Sequence, residues 1–155
     1  MTNSIEDVCE QAQVILLVGS NPEEAHPVMG MRIRQAVERG AKLIVVDPRD
    51  IGLASKADIH LKLRPGTNVA FANGMAHAII ARTEGFEEFA AMVADYTPEK
   101  VAEICGIDAD DLVQVATMYA KADRAPIIYC LGVAEHSTGT EGVMSMSNMA
   151  MVCGK

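Results

Sequence analysis

The chain has 155 residues, enough for one domain with its own core, and half of them are apolar. No apolar run approaches the roughly 18 uninterrupted residues that a membrane-crossing helix requires. A net charge of −8 and a pI near 4.9 oppose counterion-driven binding to nucleic acid, although helix N-termini and a few arginines can still hold a phosphate locally.

Met1-Thr2-Asn3-Ser4 leads into an acidic helical stretch rather than a signal peptide, so a soluble cytoplasmic polypeptide without membrane or nucleic-acid partners is expected. Asn3 or Ser4 is placed to cap a helix over Ile5 to Ala12, whose first turn carries Glu6 and Asp7. Val14 to Val18 reads as a fully buried strand. Glu23 to Arg39 follows as an amphipathic helix with Pro27 near its start and Gly40 just past its end, and Leu43 to Val46 is a second buried strand. These three pieces form a β-α-β unit.

Ile51 to Lys56 is a short helical turn, and Ile59 to Leu63 alternates apolar and polar residues as a strand near a sheet edge would. Asn68 to Ala81 returns to helix. From Thr83 to Asp123 the pattern is helical, punctuated by Gly85, by Thr97-Pro98-Glu99 and by Gly106. Pro126 to Tyr129 is a fourth strand, and Thr140 to Val152 a last helix with apolar residues on almost every side, which predicts burial all round. The resulting expectation is a single α/β domain over residues 1–155, a Rossmann-like three-layer α/β/α fold. Its parallel sheet has about four strands in order 3-2-1-4, with a helical excursion over residues 82–124 before the last strand.

Cys9, Cys105, Cys130 and Cys153 are far apart, with no C-x-x-C pair, and the four histidines are equally scattered. That spacing predicts no metal site and no iron–sulfur cluster, and reads the cysteines as small, mostly buried apolar residues. His136 beside Glu135 and Ser137 resembles part of an acid–base site, but neighbours in a loop rarely face one another and no G-x-S-x-G elbow occurs. No catalytic residue is assigned.

In an open parallel sheet, ligand-binding side chains gather beyond the carboxyl ends of the strands, where loops and helix N-termini converge. Four segments occupy such ends: Gly19-Ser20-Asn21, Asp47-Pro48-Arg49, Arg64-Pro65-Gly66-Thr67 with Asn68, and Gly132 to Thr140 as a loop. Gly19 lacks a Cβ and lets backbone approach a phosphate or ribose, with Ser20 and Asn21 supplying polar groups; the alternative is an ordinary capped turn. Asp47 stands where dinucleotide-binding folds set an acid for ribose hydroxyls. Equally, it could cap the turn at Ile51, with Pro48 fixing the bend and Arg49 solvated. Thr67 is a natural N-cap, Asn68 could face solvent or a base edge, and Arg64 beside that helix start makes an anion site.

Taken together, V-I-L-L-V-G-S-N-P-E-E-A-H-P-V (14 to 28), G-A-K-L-I-V-V-D-P-R (40 to 49), A-D-I-H-L-K-L-R-P-G-T-N-V-A (57 to 70), R-T-E-G-F-E-E-F (82 to 89) and Y-T-P-E-K-V (96 to 101) closely resemble the catalytic subunit of molybdopterin-dependent formate dehydrogenases. Gly132-Val133 and His136 to Thr140 continue the resemblance, which covers essentially the whole chain. It implies a domain that holds one guanosine diphosphate arm of a bis-molybdopterin guanine dinucleotide on molybdenum or tungsten, within an enzyme oxidising formate to carbon dioxide. By the same resemblance Gly19, Ser20 and Asn21 line phosphate and ribose, Asp47 with Pro48 and Arg49 takes the ribose side, Arg64, Gly66 and Asn68 lie near guanine, and Gly132 approaches the pterin.

Family members carry their iron–sulfur cysteines and metal ligand ahead of this region, so the resemblance implies a fragment of a larger catalytic subunit, inactive alone. Its partners would be the remaining domains and the electron-transfer subunits. Between Ile80 and Arg82 the family usually has a longer segment, making Ala81 a point of shortening, and Cys130 and Ala134 replace the usual glycine and polar residue of the pterin-facing loop. The alternatives are the equivalent domain of a nitrate reductase, against which R-T-E-G-F and Y-T-P-E argue, or a freestanding nucleotide-binding or interaction module. Met144, Met146, Met149 and Met151 crowd the last helix and would serve core packing or self-association.

Overall fold

A computed structural model of the chain describes residues 4–80 and 87–154. Four parallel strands, β1 (Val14–Val18), β2 (Lys42–Val46), β3 (Ile59–Leu61) and β4 (Ile127–Tyr129), form one sheet in the order β3-β2-β1-β4. This is the order expected from the sequence. β1 pairs with β2 along its whole length, from Val14 opposite Lys42 to Val18 opposite Val46, and all five β1 residues are buried. An uninterrupted apolar strand needs cover on both faces, and it has it.

Successive strand residues point to opposite faces, which divides the core in two. Val14, Leu16, Val18, Ile44, Val46 and Leu61 pack with Phe71 and Met75 of α4 (Asn68–Ile80), Leu112 and Tyr119 of α7 (Ala109–Lys121), and Met146 and Met149 of α9 (Gly139–Val152). Ile15, Leu17, Leu43 and Val45 pack on the other face with Cys9 of α1 (Ile5–Glu10), Ile33 of α3 (Pro27–Glu38) and Leu53 of the 3-10 turn Gly52–Lys56. The result is a three-layer α/β/α fold.

Local signals start and stop these helices. Ser4 closes a capping box with Asp7, accepting the Asp7 N–H at 3.1 Å while its own N–H donates to the Asp7 carboxylate at 3.4 Å. In the excursion, α5 (Glu87–Val93), α6 (Pro98–Cys105) and α7 precede β4; Thr97 caps α6, Gly106 ends it in the left-handed region, and Asp108 caps α7. Ala81, Thr83, Gly85 and the R-T-E-G-F stretch lie outside the described residues, as do Met1 to Asn3.

Four expectations are corrected. The helix over Glu23 to Arg39 is two, α2 (Pro22–Ala25) and α3, because Pro27 drives His26 out of the helical region to φ −142°, ψ 71°. β3 stops at Leu61, short of Leu63. The stretch taken as a loop from Gly132 to Thr140 contains most of a short helix, α8 (Leu131–Ala134), and the start of α9. Finally, α9 is not buried all round: Gly139, Gly142, Met146 and Met149 make one inward stripe, whereas Met144 and Met151 are 59% and 66% exposed. Of the cysteines, Cys9 and Cys105 are buried and Cys130 and Cys153 only partly so.

Candidate functional site

Because all four strands run parallel, their carboxyl ends share one edge of the sheet, and the segments that follow them enclose a cavity of about 440 Å³. Gly19, Ser20 and Asn21 come from the end of β1, Asp47, Pro48 and Arg49 from the end of β2, Arg64 and Gly66 from the segment after β3, Asn68 from the first turn of α4, and Gly132 from α8. The structure thus brings together every site residue expected from the sequence. The volume lies in the range of small-molecule sites, about 300–1,000 Å³.

Gly19 and Gly132 fix the floor. Gly19 has φ +53°, its N–H donates to the Val46 carbonyl at 2.8 Å, and its carbonyl accepts the Gly132 N–H at 3.1 Å. A Cβ on Gly19 would lie 2.7 Å from the Gly132 carbonyl carbon, and one on Gly132 would lie 2.7 Å from Gly19 Cα. Two backbones cross here at a distance only glycine permits. The missing Cβ at Gly19 therefore serves a backbone crossing within the chain, beside any role toward a ligand. Asn68 secures the same point from α4, its Nδ2 donating to the Gly132 carbonyl at 2.9 Å, and His136 Nε2 donates to that carbonyl at 3.0 Å.

Asp47 is 2% exposed, and Arg49 satisfies it. Asp47 Oδ1 accepts the Arg49 backbone N–H at 2.9 Å and Nε at 3.0 Å, and Oδ2 accepts Nη2 at 3.0 Å. These bonds hold the Arg49 guanidinium still more firmly in its charged form. Neither alternative for Asp47 anticipated this: the carboxylate turns on Arg49 rather than on the turn at Ile51, and Arg49, although 64% exposed at its side chain, is paired. Behind the carboxylate, the Asp47 carbonyl accepts His60 Nε2–H at 2.9 Å, and its N–H donates to the Leu61 carbonyl at 3.1 Å.

Arg64 lines the cavity but spends its guanidinium elsewhere, with Nη1 donating to the Glu103 carbonyl at 2.6 Å at the C-terminal end of α6. Its backbone N–H adds a 2.8 Å bond to the Cys105 carbonyl. Thr67 opens α4, its carbonyl accepting the Phe71 N–H at 3.0 Å, and its hydroxyl turns back to the Arg64 carbonyl at 2.7 Å. Asn21 contributes a different kind of observation: its Oδ1 is buried without a hydrogen-bond partner among the described residues. A buried unpaired acceptor is costly, about 1–3 kcal/mol, and at a cavity wall it marks a place for a donor.

Sequence reading alone missed part of the lining. Glu24, Leu63 and Leu131 border the cavity, as do Cys130 and His136, which the sequence sets in the pterin-facing loop and the Gly132 to Thr140 segment without assigning them to the site. Glu24 lies just after Asn21 and Leu63 just before Arg64, so extending each recognised segment was the available signal. Among the described residues, no three or more of His, Cys, Asp and Glu come together to hold a metal ion, and no helix is long and apolar enough to cross a membrane.

A parallel α/β sheet with a cavity beyond its carboxyl edge is the class of domain that binds its ligands at that edge. Residues 1–155 match the molybdopterin oxidoreductase family, and the chain belongs to that family. It is 44% identical over 165 aligned positions to the F420-dependent formate dehydrogenase subunit alpha of Methanocaldococcus jannaschii, covering 99% of this chain and 24% of that protein. Formate dehydrogenase H of Escherichia coli is 39% identical, covering 99% of this chain and 23% of the relative. Among solved structures, acetylene hydratase from Pelobacter acetylenicus superposes with a TM-score of 0.87 at 29% identity, over 97% of this chain and 24% of that one. The chain therefore spans about a quarter of the length of these relatives.

Proposed function

We propose that this chain is the part of a formate dehydrogenase catalytic subunit that holds the guanosine diphosphate arm of a molybdopterin guanine dinucleotide. The observation that carries the reading is the convergence of all four strand-end segments on one cavity, with a buried, unpaired Asn21 Oδ1 in its wall. The residues fit such an arm. Asp47 is a paired acceptor suited to ribose hydroxyls, Ser20 and Asn21 offer hydroxyl and amide groups to ribose and phosphate, Arg49 brings positive charge, and Gly66 and Asn68 border the guanine end. In this reading Gly132 and Cys130, on the cavity wall, would border the pterin side.

When bound, the pterin-held molybdenum or tungsten supplies the redox chemistry of formate oxidation. This chain's residues bind and orient. In the reading, the remaining domains of the subunit and its electron-transfer partners supply the metal ligand and the path for electrons, and cover the apolar side chains of Leu131, Met144 and Met151, which are 58%, 59% and 66% exposed. A mass measurement in solution checks the competing use of that surface, self-association, which predicts a dimer or larger species.

Titration calorimetry with GDP tests the reading directly. Binding in the micromolar to millimolar range is expected from an isolated half-site. Absence of heat and of any thermal shift at millimolar GDP defeats the proposal that these residues form a guanosine diphosphate site without the rest of the subunit.

A further inference from the structure

We infer that Arg49 is a built-in occupant of the Asp47 acceptor pair, which a ligand carrying two adjacent hydroxyl donors displaces, freeing the guanidinium for the anionic part of that ligand. The inference rests on the nucleotide-site reading above and adds an exchange to it.

The two partners are unequal, and that inequality makes the exchange directional. Asp47 is 2% exposed, whereas the Arg49 side chain is 64% exposed and has no other hydrogen-bond or ion-pair partner among the described residues. Arg49 can thus leave into solvent at little cost, while Asp47 cannot be left with its oxygens unpaired in a buried position. Only a ligand that replaces both side-chain donors releases Arg49. A guanidinium gives two parallel N–H bonds to the two carboxylate oxygens; a ribose diol gives two O–H bonds to the same pair.

The main chain is arranged to keep Asp47 in place during the exchange. The Arg49 backbone N–H holds Oδ1 at 2.9 Å independently of the side chain, Pro48 fixes the intervening bend, and His60 holds the Asp47 carbonyl at 2.9 Å. Once released, Arg49 remains on the cavity wall. Arg64, the other arginine there, is tied to the end of α6, so Arg49 is the cation available to a phosphate. Glu24, also on the cavity wall but beyond ion-pair distance of Arg49, adds to the field that keeps the guanidinium charged.

The exchange predicts opposite responses from two ligands of one site. Guanosine has to displace Arg49 and gains nothing from it afterwards, so Arg49→Ala tightens guanosine roughly threefold or more: an exposed ion pair alone is worth about that, and the buried Asp47 that the variant leaves short of donors adds to it. GDP loses its charged partner, and the same variant weakens it roughly tenfold. Arg49→Lys keeps the charge but not the fork, so it tightens guanosine as Arg49→Ala does and leaves GDP near the parent value.

The measurement is calorimetric titration of the parent, Arg49→Ala and Arg49→Lys chains with guanosine, GDP and 2′,3′-dideoxy-GDP, together with the Arg49 Nε–H resonance by NMR. Support is a change of that resonance with guanosine and GDP but not with the dideoxy analogue, and opposite shifts of the two affinities in Arg49→Ala. Parallel weakening of guanosine and GDP, or GDP saturation with the resonance unmoved, overturns the exchange and leaves the nucleotide site standing. No binding of guanosine or GDP by any of the three chains overturns both.

Discussion

β1 and β2 pair over five residues each, and every one of those residues except Lys42 is buried; β4 pairs with β1 over three residues and leaves Tyr129 41% exposed. The cavity inherits this difference. Its wall from Ser20 to Arg49 grows out of strands covered on both faces, whereas its wall from Cys130 to His136 follows an edge strand, sends Val133 into the core, and is otherwise tied back through Gly132 by the Gly19 carbonyl and Asn68. One wall is fixed by the core, and the other is held by one buried side chain, Val133, and by two hydrogen bonds at Gly132. Ligand contacts on the first wall share the stability of the core, and those on the second depend on Val133 and two polar ties beside exposed Leu131.

The largest expected effect separates the two regions by packing alone. Leu16→Ala, at a position with no solvent exposure in the middle of β1, should cost about 2–5 kcal/mol, and Tyr129→Ala on the edge strand less than about 1 kcal/mol. Urea unfolding of both variants checks it. Equal losses would mean that β4 is as much a part of the core as β1.

Gly132→Ala attacks the tie between the walls. Its Cβ would meet Gly19 backbone atoms at 2.7 Å, with no flexible side chain to move aside, so a loss of about 2–3 kcal/mol is expected from overpacking. A thermal melt reads the loss. If the variant melts like the parent, the crossing is not held as tightly as its geometry requires.

Asp47→Ala should weaken GDP by about 1.5–3 kcal/mol, the worth of hydrogen bonds to a charged group. The protein should remain folded, because Arg49, its partner, is exposed and can be solvated. Calorimetry and a melt on the same sample separate binding from folding. Unchanged GDP affinity would return Asp47 to a purely structural role in anchoring the turn through Arg49.

How much of this was legible in sequence follows from what each signal depends on. Val14 to Val18 and Leu43 to Val46 announce buried parallel strands because five or four apolar residues in a row have no other economical place, and Thr97-Pro98 and Gly106 mark α6 by local chemistry. The gathering of strand-end residues follows from topology once the sheet is parallel. The Asp47 to Arg49 pairing does not, because the same two residues could equally present a solvated arginine and a free acid. Gly19 and Gly132 meet only in three dimensions, α8 is too short to show a period, and the exposure of Met144 and Met151 depends on what surrounds α9 rather than on its own apolar pattern.

The smallest expected effect tests whether the fixed wall is also held from the opposite edge of the sheet. Asp58, just before β3, accepts Lys42 Nζ at 2.7 Å and the Leu43 N–H at 2.9 Å, and its own N–H returns to the Leu43 carbonyl at 2.8 Å, so it clamps the start of β2. Burial alone would raise its carboxyl pKa, but the bonds from Lys42 and Leu43 outweigh it and hold the group below its ordinary value. A carboxyl lowered in the folded state contributes stability that is complete above its unfolded pKa, about 3.9, and is lost as pH falls through the folded value. Since Lys42 is largely solvated and Asp58 only partly buried, the contribution is discounted to about 1 kcal/mol. Asp58→Asn should therefore unfold at a lower urea midpoint than the parent at pH 7, and the gap should close as both are taken well below pH 4. A gap that persists unchanged at low pH would show that Asp58 acts through the shape of its hydrogen bonds and not through its charge, so that the clamp on β2 is geometric rather than ionic.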